Sequence, residues 1–187
     1  IISLSGVITS AGGRGMFADD STVVEIKDQL VRAEKDKKIR AIVVRINTPG
    51  GGVTASDIIY REIKQFREKK KIPVYAAMMD TAASGGYYAA MACDKIYAHP
   101  TTLTGSIGVV ATFPKLQPLT EKLGIDMRVI KSSDSKDIGS MWRDFAPGER
   151  EIFQNLIDDF YDRFLHVVAS GRTNLNAKEI RKLADGR

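Results

Sequence analysis

A chain of 187 residues, 43% hydrophobic and 27% charged, has the size and balance of one globular domain with a real core. Its net charge of +5 and pI near 9.3 raise nucleic-acid binding, but Lys35, Lys37, Lys38 and Lys69, Lys70, Lys71 sit where two predicted helices end and complement their dipoles. With neither aromatic interleaving nor a recognition motif, no nucleic-acid partner is expected. A single cysteine, Cys93, excludes an intrachain disulfide and a cysteine-rich metal site, and no run of 18 apolar residues is present.

In chain order, strand-like and helix-like runs alternate, the signature of an α/β fold. Strands are predicted at 1–4 with 7–8, 41–46, 74–79, 95–98 and 127–130. Helical periodicity covers 23–34 and 55–68; in the second, Ile58, Ile59, Ile63 and Phe66 share a face. A buried helix is expected to start at Tyr87, with Cys93 a small core residue behind it. After Pro147-Gly148, the residues Ile152, Phe153, Leu156, Ile157, Phe160, Phe164 and Val168 form one apolar stripe, which leaves His166 on the solvated side. No linker or low-complexity segment divides the chain, so residues 1–187 are read as a single domain. Because the sequence opens inside a strand-like run and stops at Ala184-Asp185-Gly186-Arg187, its natural chain is expected to continue at both ends.

The stretch Thr81-Ala82-Ala83-Ser84-Gly85-Gly86-Tyr87-Tyr88 puts one small hydroxyl residue at an abrupt strand-to-helix switch. A nucleophile would sit there, with the N–H groups of Gly85 and Gly86 sterically open and the helix dipole favouring a developing oxyanion. The competing reading is a helix N-cap in a flexible turn. A second cluster, Asn47-Thr48-Pro49-Gly50-Gly51-Gly52, follows the strand 41–46 directly. It lacks the Gly-Lys-Ser/Thr ending of a phosphate loop and a spaced G-x-G-x-x-G, so nucleotide binding is unsupported. Two glycine turns at two strand ends suggest paired N–H donors from adjacent strands, although a plain turn remains open.

A serine nucleophile needs a base. His166 lies on a solvated face and nothing aims His99 at the site. A lysine would have to lose its proton, which burial favours by lowering its pKa from about 10.4. Lys136 stands apart from the lysines on charged helical faces because it lies in the small polar loop Ser132-Ser133-Asp134-Ser135-Lys136-Asp137. A solvated loop lysine is the alternative. Ser133-x-x-Lys136 matches the Ser-x-x-Lys of penicillin-binding enzymes, whose partner motifs are absent, and an α/β-hydrolase elbow would require glycine where Ala82 stands.

Together these residues resemble the bacterial and archaeal signal peptide peptidases that use a Ser-Lys dyad. The resemblance spans nearly the whole chain. It rests on Asn47-Thr48-Pro49-Gly50-Gly51-Gly52-Val53, Ala82 to Tyr88, Asp94-Lys95-Ile96, Leu103-Thr104-Gly105-Ser106-Ile107-Gly108-Val109, Lys131 to Asp137 and Ala184 to Arg187, in that order and spacing. It implies a ClpP/crotonase-like fold of repeated strand-strand-helix units. It also implies Ser84 as nucleophile, Lys136 as general base, Ser106 orienting the lysine, and the N–H groups of Gly51 and Gly85 as the oxyanion hole, with neither metal nor cofactor. Members are homo-oligomers whose catalytic domain lies on the extracytoplasmic side of the cell membrane, and their substrates are signal peptide remnants and other apolar peptides. The membrane anchor and the segment that follows Ala-Asp-Gly-Arg are expected outside residues 1–187. A crotonase-like acyl-CoA enzyme, which also pairs two glycine N–H donors, and a non-catalytic membrane scaffold are the competing classes. The first gives no role to Lys136 or Ser106, and the second gives no reason for Ser84 and Lys136 to be present together.

Overall fold

A computed structural model describes residues 1–11 and 21–187, which fall into two compact units: 1–108 with 162–187, and 109–161. The first unit is built on a parallel sheet. Its strands are β1 (Ile2–Ser5), β2 (Ile42–Thr48), β3 (Val74–Ala83), β4 (Lys95–Ala98) and β5 (Leu103–Gly105), ordered β1-β2-β3-β4, with β5 also on β3. β3 is shared along its length: Tyr75 to Met78 pair with β4, and Thr81 to Ala83 pair with β5. Against β2 the register runs Ile42↔Val74 to Ile46↔Met78 and then resumes at Thr48↔Ala82, so β3 spends three residues where β2 spends one. Asn47 fills this bulge, its Oδ1 accepting the Thr81 N–H at 3.1 Å.

The core side of the sheet follows from its apolar alternation. Leu4, Val44, Ile46, Val74, Ala76 and Ala82 are wholly shielded from solvent, and each buried Val, Leu or Ile contributes on the order of 1.5–3 kcal/mol. Helices α1 (Thr22–Lys35) and α2 (Val53–Lys70) cover them with Ile26, Leu30, Ile59, Ile63 and Phe66. Lys71 closes α2 in the left-handed conformation, φ 51°, and its N–H returns to the Arg67 carbonyl at 2.9 Å. The short α3 (Gly85–Ala90) starts two residues earlier than periodicity suggests, since glycines carry no apolar signal. Cys93 is buried behind it, and burial pushes its thiol up to about 12.

The second unit contains α4 (Gln117–Lys122), a 3₁₀ turn (Asp134–Asp137) and the first half of α5 (Glu149–Gly171); the second half of α5 and α6 (Ala177–Leu183) belong to the first unit. Phe113, Phe145 and Phe153 form its aromatic cluster, with ring centroids 4.3 to 5.9 Å apart. Gly139 sits against it, at φ 75°, where an added Cβ would lie 3.0 Å from the Phe153 ring. The strand expected at 127–130 does not form. This segment has no regular structure and Met127, Val129 and Ile130 are exposed, because apolar content makes a strand only where a neighbour accepts its backbone ladder. In α5 the apolar stripe divides: Phe164 and Val168 are buried, together with Val167 outside the predicted stripe, whereas Ile152 and Leu156 are exposed. His166 is exposed, as its stripe predicts.

Candidate active site

Three turns at the carboxyl ends of parallel strands meet around Ser84, where open α/β sheets place their ligands. Ser84 follows β3 and precedes α3 with φ 49° and ψ −115°, a backbone conformation that side chains disfavour. Its N–H donates to the Gly105 carbonyl at 2.9 Å and its carbonyl accepts the Tyr88 N–H at 2.9 Å. An N-cap serine would have extended backbone and spend its hydroxyl on the first turn. Ser84 does neither, for its side chain makes no capping bond. It is half-buried at the turn, and its hydroxyl is left unspent by the helix.

The second turn follows β2. Its Gly50, at φ 102°, passes so close to Ser84 that an added Cβ would lie 2.7 Å from the Gly85 nitrogen and 2.8 Å from the Ser84 Cβ. Ile8 donates its N–H to the Gly50 carbonyl at 2.8 Å and accepts the Gly52 N–H at 2.9 Å, which brackets Gly51 and leaves its own N–H out of the bridge. Thr48 Oγ1 accepts the Gly50 N–H at 3.0 Å and fixes the turn. Gly85 is the first residue of α3, so its N–H has no intrahelical acceptor. An added Cβ there would collide with the Ser56 Oγ. Among the described residues, the N–H groups of Gly51 and Gly85, on abutting turns, have no hydrogen-bond acceptor.

The third turn follows β5, a strand too short to announce itself in sequence. The pairing Ala83↔Gly105 carries Ser106 alongside Ser84. Ser106 is also left-handed, φ 50°, and its N–H donates to the Arg187 carbonyl at 2.6 Å. Of the five residues singled out in the sequence, the first unit therefore gathers Ser84, Gly51, Gly85 and Ser106. Lys136 lies in the second unit, exposed on the 3₁₀ turn Asp134–Asp137, where a loop was expected.

A supporting cluster behind α3 had no sequence signal, because its members lie up to 106 residues apart. Asp57 on α2 accepts from Tyr88 Oη at 2.6 Å and from Arg163 Nη2 at 2.8 Å, while Arg61 Nε bonds its other oxygen at 2.7 Å. Burial acts to raise the Asp57 carboxyl, but the hydrogen bonds from Tyr88 and Arg163 and the charges of Arg163 and Arg61 outweigh it and hold the group below its ordinary value. A depressed carboxyl stabilises the fold above its unfolded pKa and stops doing so as pH falls through its folded one. Asp57→Asn should therefore cost about 1 kcal/mol at pH 7, roughly 2–4 °C in Tm, and the gap to the parent should close on acidification in thermal melts.

This parallel sheet with its covering helices has a ClpP-like fold. A ClpP1 variant from Listeria monocytogenes superposes with a TM-score of 0.59 at 19% identity, covering 97% of this chain and 76% of that one, and residues 15–104 match the Clp protease family. Residues 66–187 match peptidase family S49, and the chain belongs to that family. It is 45% identical over 157 residues to slr0021 of Synechocystis sp., named as a protease, covering 84% of this chain and 56% of that one. It is 37% identical over 187 residues to an Enterococcus faecium protein named for signal peptide peptidase SppA, covering 100% and 54%, and 36% identical over 189 residues to the chloroplastic serine protease SPPA of Arabidopsis thaliana, covering 100% and 28%. The chain thus spans about half the length of the first two relatives. No helix among the described residues is long and apolar enough to cross a membrane.

Proposed function

We propose that the protein is a serine-type endopeptidase in which Ser84 is the nucleophile and Lys136 the general base. The observation that carries this reading is the Ser84 turn: a left-handed, uncapped serine pressed against Gly50, with the N–H groups of Gly51 and Gly85 uncommitted among the described residues. Neutral Lys136 takes the Ser84 proton as Oγ attacks a peptide carbonyl. The N–H groups of Gly51 and Gly85 receive the oxyanion, each donor being worth on the order of 10² to 10³ in rate. As the tetrahedral intermediate collapses, the lysine hands its proton to the leaving amine. Water then repeats the sequence on the acyl-enzyme, with Lys136 accepting the water proton and returning it to Ser84. The Ser106 hydroxyl orients Lys136.

A relative named for signal peptide peptidase supports signal peptide remnants as the substrate class, and other apolar peptides, bound as an extended strand, belong to the same proposal. The working enzyme is a homo-oligomer, held at the cell membrane by an anchor outside this chain with the catalytic domain on the extracytoplasmic side. A fluorophosphonate probe tests the assignment directly. Reaction with the whole protein should place one adduct on Ser84 by peptide mapping and abolish peptide cleavage; labelling elsewhere, or tight coenzyme A binding without peptidase activity, would overturn it.

A further inference from the structure

Asp137, the immediate neighbour of Lys136, is engaged on every side by other cations. Arg143 donates from Nε to its Oδ2 at 3.0 Å and from Nη2 to its Oδ1 at 2.9 Å, and Lys131 Nζ donates to the same Oδ1 at 2.8 Å. The same guanidinium reaches the start of α5, with Nη1 to Glu149 Oε2 at 3.0 Å and Nη2 to Glu149 Oε1 at 2.6 Å, and it also donates to the backbone carbonyls of Asp137 and Asp144. Lys131 meanwhile holds the Asp134 carbonyl at 2.8 Å. The 3₁₀ turn is thereby tied at both ends and to α5. The Glu149 side chain is only 5% exposed and that of Asp137 15%, so the bonds from Arg143 to these two carboxylates are partly shielded from the competition with water that weakens surface ion pairs, whereas the Lys131 bonds are exposed. Hydrogen bonds from Arg143 first, and then Lys131, hold the Asp137 carboxyl well below the usual carboxylate range. Along this segment Arg128, Lys131 and Arg143 each have a carboxylate partner, whereas Lys136 has no ion pair among the described residues.

We propose that Arg143 is a positioning residue for Lys136: it fixes the 3₁₀ turn on α5 and keeps the Asp137 carboxylate engaged, so that the adjacent lysine is not paired by its own neighbour. This rests on the reading of Lys136 as the base. A lysine with a carboxylate partner holds its proton more tightly and serves as a poorer base at neutral pH. The charged groups of its own loop and of the network anchored on Asp137 are Lys131, Asp134, Asp137, Arg143, Asp144 and Glu149, with Lys115 paired to Asp144. Releasing Asp137 changes that balance toward negative.

The test compares Arg143→Ala, Lys136→Ala and Asp137→Asn in the whole enzyme, on an apolar peptide across pH. Arg143→Ala should lower kcat by about 30-fold with KM within about 3-fold, the pattern of lost positioning. It should also move the acid limb of the rate profile upward by about half a pH unit, because the freed carboxylate stabilises the lysine cation. In the Asp137→Asn background that displacement should shrink to less than half, since the carboxylate adjacent to Lys136 is gone and only the more distant-in-sequence Glu149 is released. Activity retained in Lys136→Ala would remove the base itself. An inactive Lys136→Ala beside an Arg143→Ala of parental kcat and unmoved profile would overturn the Arg143 role alone. Should Arg143→Ala fail to fold, Glu149→Gln loosens the guanidinium while keeping its charge; about a 10-fold fall in kcat is expected, and a parental kcat would overturn the proposal.

Discussion

Ser84→Ala and Lys136→Ala should each lower kcat for peptide cleavage by about 10³-fold or more, and the double variant should be no worse than either single one. In the proposed mechanism the two groups act on one proton, so once either is gone the other has nothing to exchange. Neither change should unfold the protein: Ser84 spends no side-chain bond on the helix, and Lys136 is exposed. A separate signature lies in stability. Because Ser84 occupies φ 49° and ψ −115°, which glycine adopts freely, Ser84→Gly should be inactive yet melt about 2–4 °C higher, equivalent to roughly 1 kcal/mol. Peptide turnover and thermal melts on the same samples check both; a Ser84→Gly variant less stable than the parent would mean the turn stores no strain.

Gly50→Ala is expected to cost both stability and activity. Its φ of 102° disfavours any side chain, and the added methyl would meet the Gly85 nitrogen and the Ser84 Cβ below 3 Å, so the two turns must separate. About 3 kcal/mol of stability and on the order of 10² in kcat/KM should go together, as the donors shift away from the oxyanion position. Gly6→Ala is the control. It has φ 74° but open space around its Cβ position, so it should show backbone strain alone with activity little changed. Equal loss of activity in the two variants would show that strain, and not the approach of the turns, is responsible.

The α/β class, four of the five strands and the Ser84 and Gly51 turns were legible because each is a local pattern: apolar runs, helical stripes, and glycines at strand ends. The remainder depended on partners distant in sequence. Leu103–Gly105 becomes a strand only because the end of β3 is free to pair with it, and 127–130, more apolar, stays irregular for want of a neighbour. Gly50 was visible as one glycine of three, but its closeness to Ser84 follows from the register between β2 and β3. The hold of Asp57 on Tyr88 and Arg163 joins three helices, and no periodicity announces it.

The bulge in β3 bears on how this family can vary in length. Two extra residues between Met78 and Ala82 preserve the phase of the pleat, so Ala82 points into the core as Met78 does. Adding or deleting one residue there would turn Ala82 outward and rotate Ser84 away from Gly50 and Gly105, whereas a change of two would lengthen or straighten the strand and leave the serine facing the same way. Viable insertions and deletions between Met78 and Ala82 should therefore come in pairs of residues, a parity rule imposed by the sheet on the genes that encode it.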